Sequence, residues 1–459
     1  MSFSFALSFV VAIAAPTAKK QPFAAADLVR LERVSDPHIS PSGHLVAYSV
    51  RETDWEANKG KSSIWVVDLK EKAPRKLTAA DSDTPRWSAD GNTLFFLSSR
   101  SGSSQVWSIS LLGGEAVQVT SLPVDVSAFA VAPGGRALSV ALDVFPDCPK
   151  VVCTKERLDA RAAAKKTGQL YDQLFVRHWD TWKNGTRSHI FAVNLASPAS
   201  EPVKLTRDID GDAPTKPHGD ASEWSFSPDG KTLFFVARIA GRTEAWSTNT
   251  DVFSVPMDAS AKPINLTTAN LATDTGPAVS PDGKTLAYLA MRRPGFEADK
   301  LTVYTMPVAG GPPHELVGGW DRSASVVAWS PNGKTIYALA DDVGQRRVFA
   351  LDASSGAQTP ITDKGSVAAF DVTAEGVVVA MDDLRTPTQL YRVPARVTRD
   401  QLTRHGLETI ERLALGDYEQ FSFIGWNGDM VYGYVVKPAG FVAGQKYPVA
   451  FLIHGGPQG

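Results

Sequence analysis

Four groups of residues in this 459-residue chain carry chemistry in their type and spacing. The most pointed is His454-Gly455-Gly456-Pro457, which ends the apolar run Tyr447 to Ile453. That run is short, β-rich and bounded by turn residues, so it predicts a buried strand of a parallel sheet. Two glycines after such a strand leave backbone N–H groups uncovered, the donors a developing oxyanion needs. An ordinary glycine turn would look the same. A second candidate is Glu223 in Gly219-Asp220-Ala221-Ser222-Glu223-Trp224, an acid with polar neighbours and an aromatic beside it. Most such acids are simply solvated. Third, Arg177, His178, Trp179 and Trp182 form a cationic-aromatic cluster in which Arg177 and Trp179 could contact a ligand. Packing of their segment against its surroundings is the commoner use of such aromatics and is preferred here. Fourth, Cys148 and Cys153 are the only cysteines. Their spacing is not C-x-x-C and no His or Cys nearby completes a zinc site, so a local disulfide is expected. His38, His44, His218, His314 and His405 have no metal-ligand spacing and read as loop or turn residues. No metal and no cofactor is called for.

The elements that position these groups repeat. A tetrad of small residue, Pro or Ala, turn residue and Gly occurs seven times: Ser40 to Gly43, Ser88 to Gly91, Ala132 to Gly135, Ser227 to Gly230, Ser280 to Gly283, Ser330 to Gly333 and Thr373 to Gly376. Proline fixes φ, Asp or Asn tolerates the next turn position, and Gly supplies positive φ. An apolar strand such as Leu233-Phe234-Phe235-Val236 follows most copies, then a second such as Ile64-Trp65-Val66-Val67, then a closing Leu-Thr as in Leu77-Thr78. Trp65, Trp107 and Trp329 read as packing between units. Successive tetrad glycines fall 48, 44, 95, 53, 50 and 43 residues apart. Apart from one, those intervals suit four-stranded blades of a β-propeller. The long interval holds a charged helical stretch, Lys155 to Lys166, and the cysteine pair, so residues 145–188 read as an insertion. The expectation is a mainly β protein with seven blades over residues 19–400, eight being the alternative.

Composition narrows the partners. Lys plus Arg number 47 and Asp plus Glu 49, for a net charge of −2. Such a balance gives no footprint for nucleic acid and no polybasic membrane patch. The apolar run Phe3 to Ala15 is too short to span a bilayer. With Ala12-Ile13-Ala14 as its exit it fits a secretory signal over 1–18, although no Lys or Arg precedes it. A disulfide requires an oxidising compartment, so signal and cysteines together point to a periplasmic or secreted protein. Whether it forms a homo-oligomer is left open.

After Gly376 the repeat gives out. Leu402 to Leu415 reads as a linking helix or loop, and residues 401–459 as the start of a second domain. Glu419 to Gly428 and Val431 to Pro438 alternate as antiparallel strands, with Asn427-Gly428 as their turn. Repeated Ser-Pro-Asp-Gly turns, then Val436-Lys437-Pro438, Lys446-Tyr447-Pro448 and His454-Gly455-Gly456-Pro457, resemble the prolyl oligopeptidase family of serine peptidases. Within it the chain looks like the acylaminoacyl-peptidase and dipeptidyl-peptidase-5-like branches, a likeness that Tyr171 to Trp182 shares.

The resemblance implies a propeller capping an α/β-hydrolase domain, of which this chain holds the first strands. It implies short peptide substrates, trimmed from the N-terminus as dipeptides or acyl-amino acids by Ser-His-Asp acyl transfer. Gly455 and Gly456 would be oxyanion donors, and Glu223 a candidate holder of the peptide's free amine. The nucleophile of such enzymes stands in Gly-x-Ser-x-Gly, and no serine of this sequence does. The expectation is therefore the N-terminal part of an exported serine peptidase, truncated before its triad and inactive alone. The competing reading is a non-catalytic periplasmic propeller that binds or scaffolds, which would have no use for Val431 to Gly459.

Overall fold

The computed structural model describes residues 20–453 apart from 80, 173, 175, 240 and 395–397. The signal-like segment and the loop His454 to Pro457 lie outside the described residues. Among those described, strands dominate, and the chain forms in order five four-stranded antiparallel sheets and then one eight-stranded sheet, in which two further four-stranded antiparallel units, the sixth and seventh, join where Arg346 pairs parallel with Ser366. The first strands of the units are Arg33–Ile39, Asp83–Trp87, Val126–Val131, Trp224–Phe226, Asp274–Val279, Ala324–Trp329 and Ser366–Val372. Neighbouring units pack through these strands and those beside them, and the strand of the first unit lies against that of the seventh. The units thus close into a ring.

Each tetrad makes the turn from first to second strand. In the fourth unit the Ser227 hydroxyl bonds Asp229 at 2.6 Å, and the Thr232 N–H donates back to that hydroxyl at 3.0 Å. The tetrads at Ser280 and Ser330 repeat this pattern. The tetrads also touch one another around the ring. A Cβ on Gly283 or Gly333 would meet the ring of Pro228 or Pro281 in the preceding unit, and one on Gly230 would stand 2.5 Å from the Pro133 carbonyl oxygen. Gly230 also has φ +69°. The sequence motif is thus both a turn and an inter-unit contact.

The closing Leu-Thr element is an interlock. In six units a threonine hydroxyl accepts the N–H of the third strand: Thr78 from Ile64, Thr120 from Val106, Thr206 from Ile190, Thr267 from Val252, Thr362 from Val348 and Thr403 from Leu390, at 2.9–3.2 Å. The preceding side chain often joins in, as when Thr120 and Thr403 donate to Gln105 and Gln389. Leu402-Thr403 is therefore the closing element of the seventh unit rather than the start of a linker. Its strand Asp400–Gln401 is only two residues long, too short for the alternation of a strand to show in the sequence. The fifth unit departs from the pattern. Its Leu316 N–H still reaches the Val303 carbonyl at 3.0 Å, but Val317 stands where the threonine should be. In the same unit the buried Thr302 hydroxyl has no partner among the described residues.

Beyond the ring, helix Leu407–Arg412 leads to Leu413–Ala414, which pairs parallel with Gln21–Pro22. The hairpin Tyr418–Ile424 with Met430–Val436 follows, turning through Trp426–Gly428 with Asn427 at φ +63°. It docks on turns of the sixth and seventh units. Gln420 donates to the Val343 carbonyl at 2.7 Å, the Tyr434 hydroxyl to the Gly344 carbonyl at 2.9 Å, and Arg385 pairs with Asp417. The buried parallel strand expected at Tyr447 to Ile453 is not formed. Residues 445–453 take no regular structure, and Phe451, Leu452 and Ile453 are 80, 89 and 78% exposed. A parallel strand needs partners on both edges and cover on both faces, and no described strand lies beside this one.

Two stability outcomes follow from the tetrads and the interlock. Val317→Thr supplies the missing partner for Thr302 and is expected to stabilise the chain by about 1 kcal/mol. Gly230→Ala places a Cβ against Pro133 at positive φ and is expected to destabilise it by about 1–3 kcal/mol. Denaturant melts of both variants check the signs.

Candidate functional site

The tetrads lie at one end of the ring. In antiparallel units, the turns from second to third strand and the connections from one unit to the next lie at the other end. That second end receives the hairpin 418–436, through the turns at Val343–Gly344 and Arg385. It also carries the insertion, which joins Ala137–Val144 to Arg187–Asn194 within the third unit. The connection into Trp224–Phe226, with Glu223, is there too. Topology thus brings Arg177, Trp179, Glu223 and the hairpin to the same end of the ring.

The insertion builds outward from a staple. Cys148 and Cys153 are joined, S–S 1.98 Å, at the entry to helix Val151–Ala163. Arg157 makes two bonds to Asp147 at 2.8 and 2.9 Å, and the Arg157 and Arg161 guanidinium groups lie over the Phe145 ring. Further on, Arg177–His178 pairs with Thr181–Trp182 in a small hairpin whose tip holds Trp179 at φ +47°. Arg177 lies 5.2 Å over the Trp182 ring, which stacks on Tyr171 at 5.9 Å. The Trp179 ring sits 5.4 Å from that of His218. Sequence favoured aromatics that pin the insertion to the ring. Trp182 is held within the insertion, whereas His178 and Trp179 meet His218 of the connection between the third and fourth units, and the two indoles are 57 and 74% exposed. A two-residue hairpin is too small to bury an indole.

The root of the insertion is tied by four charges. Lys183 and Arg187 face Asp212 and Glu244 at 2.7–3.4 Å, joining the insertion, the third unit, the connection after it and the loop of the fourth unit. Burial pushes the Glu244 carboxyl up, but bonds and charge from Arg187 and Lys183 outweigh it and bring the pKa down to about 2. Glu223 behaves oppositely. Its two carboxyl oxygens accept the Thr215 N–H and hydroxyl, each at 2.6 Å. Burial pushes its pKa up to about 7 despite those bonds. The carboxyl that sequence offered to a ligand thus holds the connection 215–223 in place.

Two polar clusters escaped the sequence because their members are far apart in it. His38, expected in a loop, is on the first strand of the first unit. It bonds Asp36 at 2.9 Å and faces Asp371 at 3.7 Å, and Arg86 pairs with Asp36 at 2.8 Å. His405, also expected in a loop, is buried. It bonds the Tyr48 hydroxyl at 3.0 Å and Glu32 at 3.3 Å, with its ring edge-on to Trp65 at 4.9 Å. His314 lies in a short fourth strand. A histidine between polar partners from two units leaves no local pattern to read. Among the described residues no cluster of His, Cys, Asp and Glu could hold a metal ion.

Two outcomes test these assignments. Glu244→Gln leaves Arg187 and Lys183 short of a charge, with an expected cost of about 3 kcal/mol, and protease should then cut the insertion faster. The half-buried Glu223 and the buried Asp274 both have pKa values raised to about 7, chiefly by burial. The folded state therefore holds their protons more tightly than the unfolded one. Stability should decline as pH rises from the unfolded carboxyl range to about 7. Denaturant titrations across that range should show a shallower decline in Glu223→Gln and in Asp274→Asn.

Comparison with known proteins sets this geometry in a lineage. No family model matches the chain. It is 27% identical over 446 residues to the dipeptidyl-peptidase 5 of Porphyromonas gingivalis, covering 93% of this chain and 62% of that protein. The chain thus spans less than two thirds of the length of the curated relatives it matches first. Its fold superposes on an acylaminoacyl peptidase solved with Z-Gly-Gly-Phe-chloromethyl ketone, at TM-score 0.70 and 15% identity, over 92% of this chain and 60% of the other. It also superposes on the β-propeller domain of the Trilobed protease from Pyrococcus furiosus, described as having open velcro topology, at TM-score 0.55 and 15% identity, over 82% of this chain and 99% of that domain. The chain is thus similar in sequence to dipeptidyl-peptidase 5 and in fold to an acylaminoacyl peptidase.

Proposed function

We propose that the chain is the seven-bladed propeller, with the first strands of the α/β-hydrolase domain, of an exported serine peptidase that trims short peptides from their N-termini. The observation that carries this is the match to dipeptidyl-peptidase 5 over 93% of the chain. In this reading the Ser-His-Asp triad belongs to the part of the relatives' length that residues 1–459 do not span. His454 to Pro457 supplies backbone donors to the oxyanion, each worth about 3 kcal/mol in the transition state. The propeller restricts access from its hairpin-bearing end. Arg177 and the exposed Trp179 offer a cation and a ring face to a peptide entering there. Glu223, with both carboxyl oxygens bonded to Thr215, keeps the neighbouring connection in shape rather than taking the peptide's amine. The Cys148–Cys153 bridge and the signal-like start support a periplasmic or secreted site of action.

Residues 1–459 alone should not hydrolyse a dipeptidyl or acyl-amino-acid reporter, whereas the polypeptide extended to the relatives' length should, and should be labelled by a fluorophosphonate. Turnover by residues 1–459, or no labelling of the extended form, would refute the reading.

A further inference from the structure

A cleft of about 930 Å³ opens between helix Val151–Ala163, the segment after it and the root of the insertion. Its size is that of a site for a small ligand. Several charges in its lining are already satisfied. Arg157 is held by Asp147, and Lys183 and Arg187 are held by Asp212 and Glu244. That leaves Arg161 and Lys166 as cations, and Asp172 and Asp210 as acids, which form no ion pair among the described residues. Arg161 donates to the Asn184 carbonyl, which occupies only part of its donor fork. Beside these charges stand Leu158 and Leu170, the latter 93% exposed. Two cations matched by two acids do not favour a polyanion, and leucines beside them do not favour a bare ion. A short peptide with both termini free carries one charge of each sign, amides between them, and side chains.

We propose that this cleft binds short zwitterionic peptides, with Arg161 and Lys166 receiving the C-terminal carboxylate and Leu158 and Leu170 an aliphatic side chain. The cleft would thereby select peptides by the presence of a nearby free C-terminus. This deepens the peptidase reading and rests on it for a biological role, but binding is measurable without turnover.

The probe is the tetrapeptide Ala-Leu-Ala-Leu, titrated calorimetrically into the oxidised chain as the free acid and as the C-terminal amide. The free acid should bind about tenfold more tightly. Lys166→Ala, at an exposed position, and Arg161→Ala should each abolish that preference and leave amide binding unchanged. No binding of the free acid, equal binding of acid and amide, or a preference that survives both substitutions would overturn the proposal. Binding with this preference, together with an extended polypeptide that cleaves nothing, would uphold the cleft and remove the peptidase reading. Cleavage without tetrapeptide binding would do the reverse.

Discussion

A ring of sheets in which each unit is continuous in sequence cannot close by sharing a strand between its ends. Its seam has to be held by side chains, and here the seam lies between the first and seventh units. Tyr48, Val46 and Val50 of the first pack with Val378, Ala380 and Leu390 of the seventh in one buried cluster. Around that cluster the polar contacts are long-range. The Ile39 N–H donates to Asp371 at 2.7 Å, Lys72 pairs with Asp400 at 2.5 Å, and His405 links Tyr48 to Glu32. The Gly406 N–H adds a bond to the same Glu32 carboxylate at 2.9 Å. Apolar burial supplies most of the energy in such a contact, while the buried polar bonds fix its register because leaving any one unmade is costly.

The seam does more than close the ring. His405 and Gly406 stand just before helix Leu407–Arg412, so the contacts that join the ends also set where the chain leaves the propeller. The pairing of Gln21–Pro22 with Leu413–Ala414 carries both ends of the ring out together. From there the hairpin reaches the turns of the sixth and seventh units, and a Cβ on Gly344 would stand 3.1 Å from the Tyr434 hydroxyl. The insertion is fixed at the same end by four charges, three of them half-buried and Asp212 buried. Positions separated by hundreds of residues are therefore held as one surface.

The sequence made the repeated part of this architecture legible because its signals are local. A Pro-Asp-Gly turn sets its own dihedrals, and Leu233-Phe234-Phe235-Val236 between turns can hardly be anything but a strand. What was not legible depends on partners. Leu402-Thr403 looked like linker because its two-residue strand has no alternation, and the hydroxyl bond that makes it an interlock involves Leu390. His38 looked like a loop residue because Arg86 and Asp371, which complete its cluster around the nearby Asp36, lie tens to hundreds of positions away, and the burial of His405 in its turn depends on Tyr48 and Glu32, hundreds of positions away. Tyr447 to Ile453 looked like a buried strand because composition reports the tendency to be covered, and the cover must come from other strands. Glu223 was found as an unusual acid, but its two bonds to Thr215 could be seen only in three dimensions.

The central claim is that the seam between the first and seventh units governs both ring closure and the placement of the C-terminal hairpin. Hydrogen exchange on His405→Ala tests it most directly. Removing the imidazole leaves Tyr48 and Glu32 without their buried partner, so protection should fall together in strands Leu45–Asp54 and Gly376–Asp383 and in the hairpin strand Tyr418–Ile424. A loss confined to the residues immediately around position 405, with those three strands exchanging as in the unaltered chain, would contradict it.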